Sequence, residues 1–295
     1  MKLFAGIDGG QTATTALIGD ERGNVLGRGA AGPADEVGQD ARSTRLRDAL
    51  HGALSAALAD ASLPADARFE KIVAGISGYD GRVRGVAPAL DARCIDLMHD
   101  APIAHAGALD GRPGIVVIAG TGSVVYGRAD GGASVTVGGW GYLFGDEGSA
   151  FWIARRLIEA AMSADDRAAR RDEGSLQSAL LEFFAMPSLR ALARAFYGGE
   201  LTRDRIAAFS ERALELSNPQ VDEVVSEGTG ALAGLAGLAA RRLSMTRAEV
   251  AVIGGLMRSP RYAGAMRAAL KTQPVVRVVD AARQPVEGAL LMAIR

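Results

Sequence analysis

Residues 4–20 read FAGIDGGQTATTALIGD: an apolar run ending in one acidic residue, a turn of glycines and hydroxyl side chains, and a second apolar run. This pattern predicts two antiparallel strands, Leu3–Asp8 and Thr14–Ile18, joined by a tight turn. The turn signal DERGN and a third short apolar run, Val25–Gly29, extend the hairpin into a meander. Glycines leave backbone N–H groups open beside Asp8, which favours the binding of an anion at this turn.

A second stretch of the chain has the same organisation. Residues 117–138, VIAGTGSVVYGRADGGASVTVG, repeat the order of strand, glycine-hydroxyl turn, strand, polar turn and strand found in residues 6–27. An internal duplication is therefore expected. One such turn alone is more often a plain hairpin, because glycine is the usual occupant of tight turns. This chain has two copies of the turn, and the first copy follows an acidic residue at the end of a strand. The two copies together favour a pair of turns that hold a polyphosphate from both sides.

Composition narrows the class of protein. The 295-residue chain is 48% hydrophobic and carries 33 basic and 34 acidic residues, a formal net charge of -1. This size favours two domains, and the mixed charges argue against nucleic acid or a membrane surface as a partner. The single cysteine, Cys94, excludes an intrachain disulfide framework and any all-cysteine metal site within one chain. The amino terminus has no signal-peptide pattern, so a cytoplasmic location is expected.

Two common phosphate-binding motifs are missing from the sequence. There is no GxxxxGK[ST], since the only lysines are Lys2, Lys71 and Lys271, and no GxGxxG opens a helix after the first strand. A P-loop fold and a dinucleotide-binding fold are therefore disfavoured. Without a P-loop lysine, backbone N–H groups and a metal ion would have to neutralise phosphate charge.

The remaining chain mixes helices and strands. Apolar residues recur at helical spacing from Arg42 to Asp60, and Lys71–Ile76 reads as a buried strand. The stretch RCIDLMHD, residues 93–100, predicts a strand ending in an aspartate. Residues 151–243 have mainly helical patterns, and EVAVIGG at 249–255 predicts a late strand. The fold class is therefore α/β.

Several motifs, in this order along nearly the whole chain, resemble one known family. They are GIDGGQT, Asp100 shortly before IVVIAGTGS, GGWGYLFGDEGSAFWIAR at 138–155 and AVIGGLMRSP at 251–260. Together they resemble the N-acetylglucosamine kinase and BadF/BadG/BcrA/BcrD ATPase family, within the sugar kinase, Hsp70 and actin superfamily. The resemblance implies two ribonuclease-H-like domains, each a mixed sheet flanked by helices, closing over a cleft. We expect residues 1–103 with 284–295 to form one domain, and 104–283, with a helical insertion, the other.

The resemblance assigns ATP and Mg²⁺ to specific residues. Asp8 matches the acid that orients Mg²⁺ on the ATP phosphates. The phosphate turns correspond to Gly9, Gly10, Gln11 and Thr12, and to Gly120, Thr121, Gly122 and Ser123. Gly254 and Gly255 match the adenosine turn. From the residues alone, Asp8 could instead cap its own turn, and the glycine pair could be a plain tight turn.

The resemblance also assigns the base and the substrate contacts. Asp100 matches the catalytic base that accepts a proton from the attacking sugar hydroxyl; it could also, or instead, be the N-cap of the following helix. Neighbouring His99 is expected to be structural and to point to the opposite face of the strand. The substrate contacts correspond to Asp35, Ser77, Gly139, Trp140 and Asp146. From the residues alone, Trp140 is better explained as a core residue than as a sugar contact. Asp146 is explained equally well as a sugar contact and as an N-cap.

The implied activity is an ATP-dependent kinase acting on the 6-hydroxyl of an amino sugar, with Asp100 as base and a homodimer as the expected assembly. Family members that use N-acetylated sugars commonly have asparagine where this chain has Asp35. An aspartate there would also suit the ammonium of glucosamine, so either sugar is possible. The alternative is a nucleotide-switched activator that phosphorylates no hydroxyl. Its iron–sulfur branch is disfavoured, because Cys94 alone cannot supply two cysteine ligands per subunit.

Overall fold

The computed structural model describes residues 1–36, 38–167 and 175–295. Its strands are β1 (Leu3–Gly9), β2 (Thr14–Asp20), β3 (Val25–Ala31), β4 (Phe69–Ile76), β5 (Ala92–His99), β6 (Gly114–Ala119), β7 (Ser123–Arg128), β8 (Ser134–Gly138), β9 (Ala248–Ile253) and β10 (Val276–Val279). Its helices are α1 (Arg45–Asp60), α2 (Asp100–Ala108), α3 (Ala150–Asp166), α4 (Leu176–Phe184), α5 (Leu189–Tyr197), α6 (Arg203–Leu214), α7 (Pro219–Arg242), α8 (Pro260–Lys271) and α9 (Pro285–Ile294). The mixed α/β class predicted from the sequence is confirmed.

The predicted meander forms one side of the first sheet. This five-stranded sheet has the order β3-β2-β1-β4-β5. β2 is antiparallel to both β1 and β3, whereas β4 is parallel to β1 and to β5. The carboxyl ends of β1, β4 and β5 therefore lie at the same edge of the sheet, where ligands bind in open α/β sheets.

The second sheet repeats the arrangement of the first. Its order is β10-β9-β6-β7-β8, which, written from β8, matches the first sheet strand for strand. β7 and β8 are antiparallel, as β2 and β3 are, and β9 and β10 are parallel, as β4 and β5 are. The equivalent of the β1–β2 turn is thus the turn between β6 and β7. The same order in both sheets supports the internal duplication inferred from the two hairpins.

Helices cover both faces of the first sheet at very short range. α1 packs on β3, and α9 packs on β1. A Cβ atom on Gly29 of β3 would overlap the carbonyl oxygen of Ala53 in α1, and one on Gly6 of β1 would overlap the backbone nitrogen of Leu290 in α9. Glycine is therefore needed at both positions for the helices to approach the sheet. The predicted apolar face of α1 is buried, including Leu46 and Leu50 at 0% exposure.

The chain divides into two compact units, residues 1–116 with 280–295 and residues 117–279. These limits differ from the expected boundary at 103/104, which falls inside α2, because α2 packs against α9 and so stays with the first unit. Residues 280–283 also join the first unit, where the Ala282 N–H donates to the Ala108 carbonyl at 2.9 Å.

The second unit carries most of the helices. α3–α7 follow β8 in the chain and precede β9. α7 packs against β7 and β8 and also contacts α3 and α8, while α6 packs on α3. Among the described residues, no helix combines the length and apolar character needed to cross a membrane.

Candidate functional site

The first unit brings three predicted site residues to one edge of its sheet. Gly9 pairs with Ile76, and Ile76 pairs with His99, so β1, β4 and β5 end at the same level. The Ser77 N–H donates to the Gly9 carbonyl at 2.8 Å. Asp8, Ser77 and Asp100 therefore meet at the carboxyl edge because parallel strands place their ends together.

The charge of Asp100 acts on Asp8. Burial, followed by the negative charge of Asp100, raises the pKa of Asp8 from 3.8 to about 6. The Oδ1 atom of Asp100 is buried, and 27% of the side chain is exposed. The sequence therefore folds so that two carboxylates repel each other at the predicted phosphate-binding edge, where a cation or a proton would relieve the repulsion.

His99 lies against Asp100 rather than pointing away from it, so the sequence prediction is wrong here. β5 ends at His99, whose side chain is the N-cap of α2, and Asp100 is the first residue of that helix rather than its cap. The Nδ1 atom of His99 is 3.2 Å from the Ala101 nitrogen and 2.8 Å from Asp100 Oδ1. Because the chain turns from strand to helix at this point, strand alternation no longer separates the two side chains. When Nδ1 carries a proton it donates to Asp100 Oδ1 instead of accepting from Ala101, and this hydrogen bond raises the pKa of His99.

The β1–β2 turn is closed by backbone hydrogen bonds. The Gly10 N–H donates to the Ala13 carbonyl at 2.9 Å, and the Ala34 N–H donates to the Gly10 carbonyl at 3.0 Å. In this turn Gln11 is half-buried and Thr12 is exposed. The Ala34 contact also brings Asp35 to the same turn. Asp35 is 8% exposed, and its Oδ1 lies 3.6 Å from the Arg45 guanidinium.

The residues of this edge fit a bound Mg²⁺ ion. Mg²⁺ usually takes one or two carboxylates and completes its shell with water and phosphate oxygens. Asp8 offers one carboxylate. A cation bound nearby would offset the negative charge of Asp100, which together with burial raises the pKa of Asp8. Within the described ranges no group of three or more His, Cys, Asp or Glu side chains could hold a metal. Such an ion would therefore depend on phosphate oxygens as well as on Asp8.

The second unit contains the duplicate turn, Gly120–Ser123, supported by the start of α3. The Ala150 N–H donates to the Gly120 carbonyl at 2.9 Å, and the Phe151 N–H donates to the Thr121 carbonyl at 3.2 Å. The Ser123 hydroxyl donates to the Glu147 carbonyl at 2.9 Å. The first residues of α3 and the loop before it thus fix the two ends of the turn.

Gly254 lies at the turn that the family resemblance assigns to adenosine. It follows β9 with a φ of +115°, and a Cβ there would overlap the backbone of Ala119, the last residue of β6. The structure therefore brings Gly254 beside the start of the Gly120–Ser123 turn. Gly255 begins a short 3₁₀ turn that leads to α8. Gly254 and Gly255 both lie at the carboxyl end of β9.

Asp146 is buried against this turn. Its side chain is 6% exposed, and the guanidinium of Arg203 donates to its Oδ2 at 3.0 Å. Burial raises the pKa of Asp146, while the Ser123 backbone N–H and Arg203 act in the opposite direction. Asp146 does not cap α3, because the N-cap is Ser149. The alternative interpretation of Asp146 as an N-cap is therefore wrong.

Trp140 lies on an exposed apolar loop rather than in the core. Trp140 is 77% exposed, and the following Leu143 and Phe144 are 66% and 83% exposed. Gly139 before it has a φ of +70°. The interpretation of Trp140 as a core residue is wrong, and its contact with a sugar ring stays a prediction.

Arg203 is the residue of this site that sequence reasoning missed. It is the first residue of α6, and 57 positions separate it from Asp146. A cation in the first turn of a helix opposes the helix dipole, and this was the only signal in the sequence. Because the contact depends on how α6 packs on α3, spacing along the chain could not reveal it.

Comparison with known proteins places the chain in a family. Residues 5–293 match the BadF/BadG/BcrA/BcrD ATPase family, and the chain belongs to it. The resemblance stated from the sequence is confirmed.

Individual relatives align over part of their length. The chain is 39% identical over 116 residues to the N-acetylmuramic acid/N-acetylglucosamine kinase of Clostridium acetobutylicum, covering 39% of this chain and 37% of that protein. It is 30% identical over 170 residues to the glucosamine kinase GspK of Vibrio cholerae, covering 56% of each chain. Both alignments span less than two thirds of the length of the relative.

A solved structure matches the whole fold. A candidate N-acetylglucosamine kinase from Chromobacterium violaceum superposes with a TM-score of 0.81 at 24% identity, covering 100% of this chain and 99% of the other. This likeness supports the fold of two α/β units.

Proposed function

We propose that the protein transfers the γ-phosphoryl group of ATP to a hydroxyl group of an amino sugar. The observation that supports this most is the edge of the first sheet, where burial and the nearby charge of Asp100 together raise the pKa of Asp8 to about 6. Such a pair suits phosphoryl transfer to a hydroxyl, in which one acid holds the metal and another accepts a proton. The names of the two relatives support an amino sugar as acceptor.

In the proposed mechanism the chain positions ATP mainly with backbone. The turns at Gly9–Thr12 and Gly120–Ser123 would donate N–H groups to phosphate oxygens, and Gly254 and Gly255 would let adenosine lie against backbone. Asp8 would hold Mg²⁺, which when bound neutralises charge on the phosphates. No lysine is available in these turns, so backbone dipoles carry more of the phosphate binding than in a P-loop protein.

Asp100 would act as the general base. Its carboxylate would accept the proton of the attacking sugar hydroxyl as the phosphoryl group is transferred in line. Its place at the start of α2 fixes its backbone, and the contact with His99 orients its Oδ1 atom. We propose the 6-hydroxyl as the acceptor on the basis of the family resemblance.

Candidate sugar contacts are present in each unit taken by itself. Ser77 and Asp35 lie beside the first turn, and Trp140 presents its exposed ring in the second unit. The carboxylate of Asp35 already pairs with Arg45, which reduces its attraction for the ammonium of glucosamine. We therefore propose that the protein prefers an N-acetylated amino sugar to glucosamine as its substrate. A cytoplasmic homodimer using ATP and Mg²⁺ remains part of the proposal.

Steady-state ADP release tests this function directly. The purified protein is assayed with Mg·ATP against glucosamine, N-acetylglucosamine, N-acetylmannosamine, N-acetylmuramate and glucose, and the product is examined by ³¹P and ¹³C NMR. We expect one amino sugar to stimulate turnover strongly and to carry the phosphate on its 6-hydroxyl. ATP turnover that responds to no sugar would contradict the kinase and favour a nucleotide-switched activator.

A further inference from the structure

Asp35 lies between two neighbours that hydrogen bonds hold in place. Before it, the Ala34 N–H donates to the Gly10 carbonyl at 3.0 Å, which ties the chain to the first turn. After it, the Glu36 side chain is 7% exposed and bonds to a second loop, residues 77–86, which we call the anchor loop. The backbone of Asp35 is therefore held from both sides.

The Glu36 carboxylate uses one oxygen for each of two consecutive N–H groups. Oε2 accepts from the Arg84 N–H at 2.7 Å, and Oε1 accepts from the Gly85 N–H at 2.9 Å. Hydrogen bonds to an ionised acceptor are about twice as strong as neutral ones. A Cβ on Gly85 would overlap the Ser43 carbonyl oxygen, which is a backbone atom and cannot move aside as a flexible side chain can. Glycine is therefore needed where the two loops meet.

The anchor loop is itself attached to the body of the first unit. The Ser77 N–H donates to the carbonyl of the last residue of β1 at 2.8 Å. The side chains of Tyr79 and Val83 pack against the apolar core of the unit. At the far end of the loop, the Val86 N–H donates to the Ser43 carbonyl at 2.8 Å, shortly before α1. Glu36 therefore bonds to a loop that is already fixed.

We propose that Glu36 is a positioning residue for the sugar: by joining the loop of Asp35 to the anchor loop, it holds Asp35 at a fixed separation from Ser77. This inference rests on the proposed function, in which Asp35 and Ser77 are sugar ligands. The first turn keeps its own closing bond, from Gly10 to Ala13, when Glu36 is changed. The affinity for ATP is therefore expected to depend little on Glu36.

Glu36→Gln tests the inference, because it keeps the size of the side chain but replaces one acceptor oxygen with an NH2 group that cannot accept. Michaelis constants are measured for Mg·ATP and for the preferred sugar among the five of the ADP-release assay. Binding of that sugar is also measured by calorimetry. We expect the sugar constant to rise about tenfold, a loss typical of one hydrogen bond to a charged group. We expect kcat and the ATP constant to change less than about twofold, because the lost binding is equal in the ground state and the transition state.

Two further variants sharpen the comparison. Glu36→Asp keeps both acceptor oxygens on a shorter side chain, so a smaller rise in the sugar constant alone is expected, and it replaces Glu36→Gln if that variant does not fold. In Asp35→Ala the sugar constant is expected to rise, and adding Glu36→Gln is expected to raise it no further, because Glu36 acts through Asp35.

Glu21→Gln is the matched control. The exposed Glu21 carboxylate also accepts a backbone N–H, that of Lys2 at 3.0 Å, but near the amino end of β1, at the opposite edge of the sheet from the proposed site. All constants of this variant are expected to equal those of the wild type.

Three results would overturn the inference. An unchanged sugar constant in folded Glu36→Gln would show that Glu36 does not position the sugar site. Equal rises in the sugar and ATP constants would make its role purely structural. Additive losses in the double variant would mean that Glu36 does not act through Asp35. Failure of the proposed function looks different: the wild type itself would bind none of the sugars, and the inference would fall with it.

Discussion

Replacing Asp8 with asparagine is expected to stabilise the protein at neutral pH in the absence of Mg²⁺ and nucleotide. The folded state raises the pKa of Asp8 from 3.8 to about 6 through burial and the charge of Asp100. Between pH 3.8 and about pH 6 the folded protein therefore binds more protons than the unfolded chain. The free energy of unfolding falls as pH rises through this range. Asparagine has the same shape but no charge, so the variant avoids that loss.

The pKa values set the size of the effect. A pKa difference of 1 corresponds to about 1.4 kcal/mol, so ionising Asp8 costs the folded state about 3 kcal/mol at pH 8. At pH 5 Asp8 is mostly ionised in the unfolded chain but mostly protonated in the folded state, and the same pKa values give a cost of about 1.6 kcal/mol to the folded state. Asp8→Asn is therefore expected to gain about 1.4 kcal/mol more at pH 8 than at pH 5.

Urea unfolding at pH 5 and pH 8, with EDTA and no nucleotide, measures this difference. Asp66→Asn is the matched control, since Asp66 is exposed and its variant is expected to show no such gain. An Asp8→Asn protein that is equally or less stable than the wild type at pH 8 would refute the reasoning. The same variant is expected to lose ATP turnover, because Asp8 is the proposed Mg²⁺ ligand.

Three further predictions concern packing and protonation. Tyr262→Phe is expected to lose about 1–2 kcal/mol of stability by urea unfolding, because its buried hydroxyl donates to a backbone carbonyl at 2.7 Å; an unchanged midpoint would contradict this. Gly254→Ala is expected to lower the melting temperature through a backbone clash at φ +115°, whereas Gly264→Ala, with open space in α8, is expected to raise it. An NMR titration is expected to place the pKa of His99 above 6.5, and Asp100→Asn to lower it. The stability contributed by protonated His99 is present below pH 6.5 and is lost as pH rises through the raised pKa.

The sequence predicted the hairpin of each unit because the contacts within a hairpin join residues that are close in the chain. The two hairpins have strands separated by short turns, so period-two burial and glycine turns identify them without long-range information. The residues at the edge of the first sheet were assigned through the family resemblance, because the pairing of β1, β4 and β5 joins distant parts of the chain. Once β1, β4 and β5 are parallel, their terminal residues Asp8, Ser77 and Asp100 must meet.

The failures came from contacts that depend on three-dimensional packing. His99 was placed on the opposite face from Asp100, because the switch from strand to helix between them was expected one residue later. Arg203 was missed because it reaches Asp146 through the packing of α6 on α3. The first domain boundary was expected too early, since a helix that follows a strand gives no sign of which unit it packs against.

The rate of phosphoryl transfer in Asp100→Asn tests the central claim most directly. Single-turnover transfer from ATP to the preferred amino sugar is compared with the wild type, and binding of ATP and of sugar is measured on the same samples. Loss of a general base predicts a fall of about 10²–10⁴-fold in the transfer rate with both ligands still bound. A variant that transfers phosphate at the wild-type rate would contradict the assignment of Asp100 as the base.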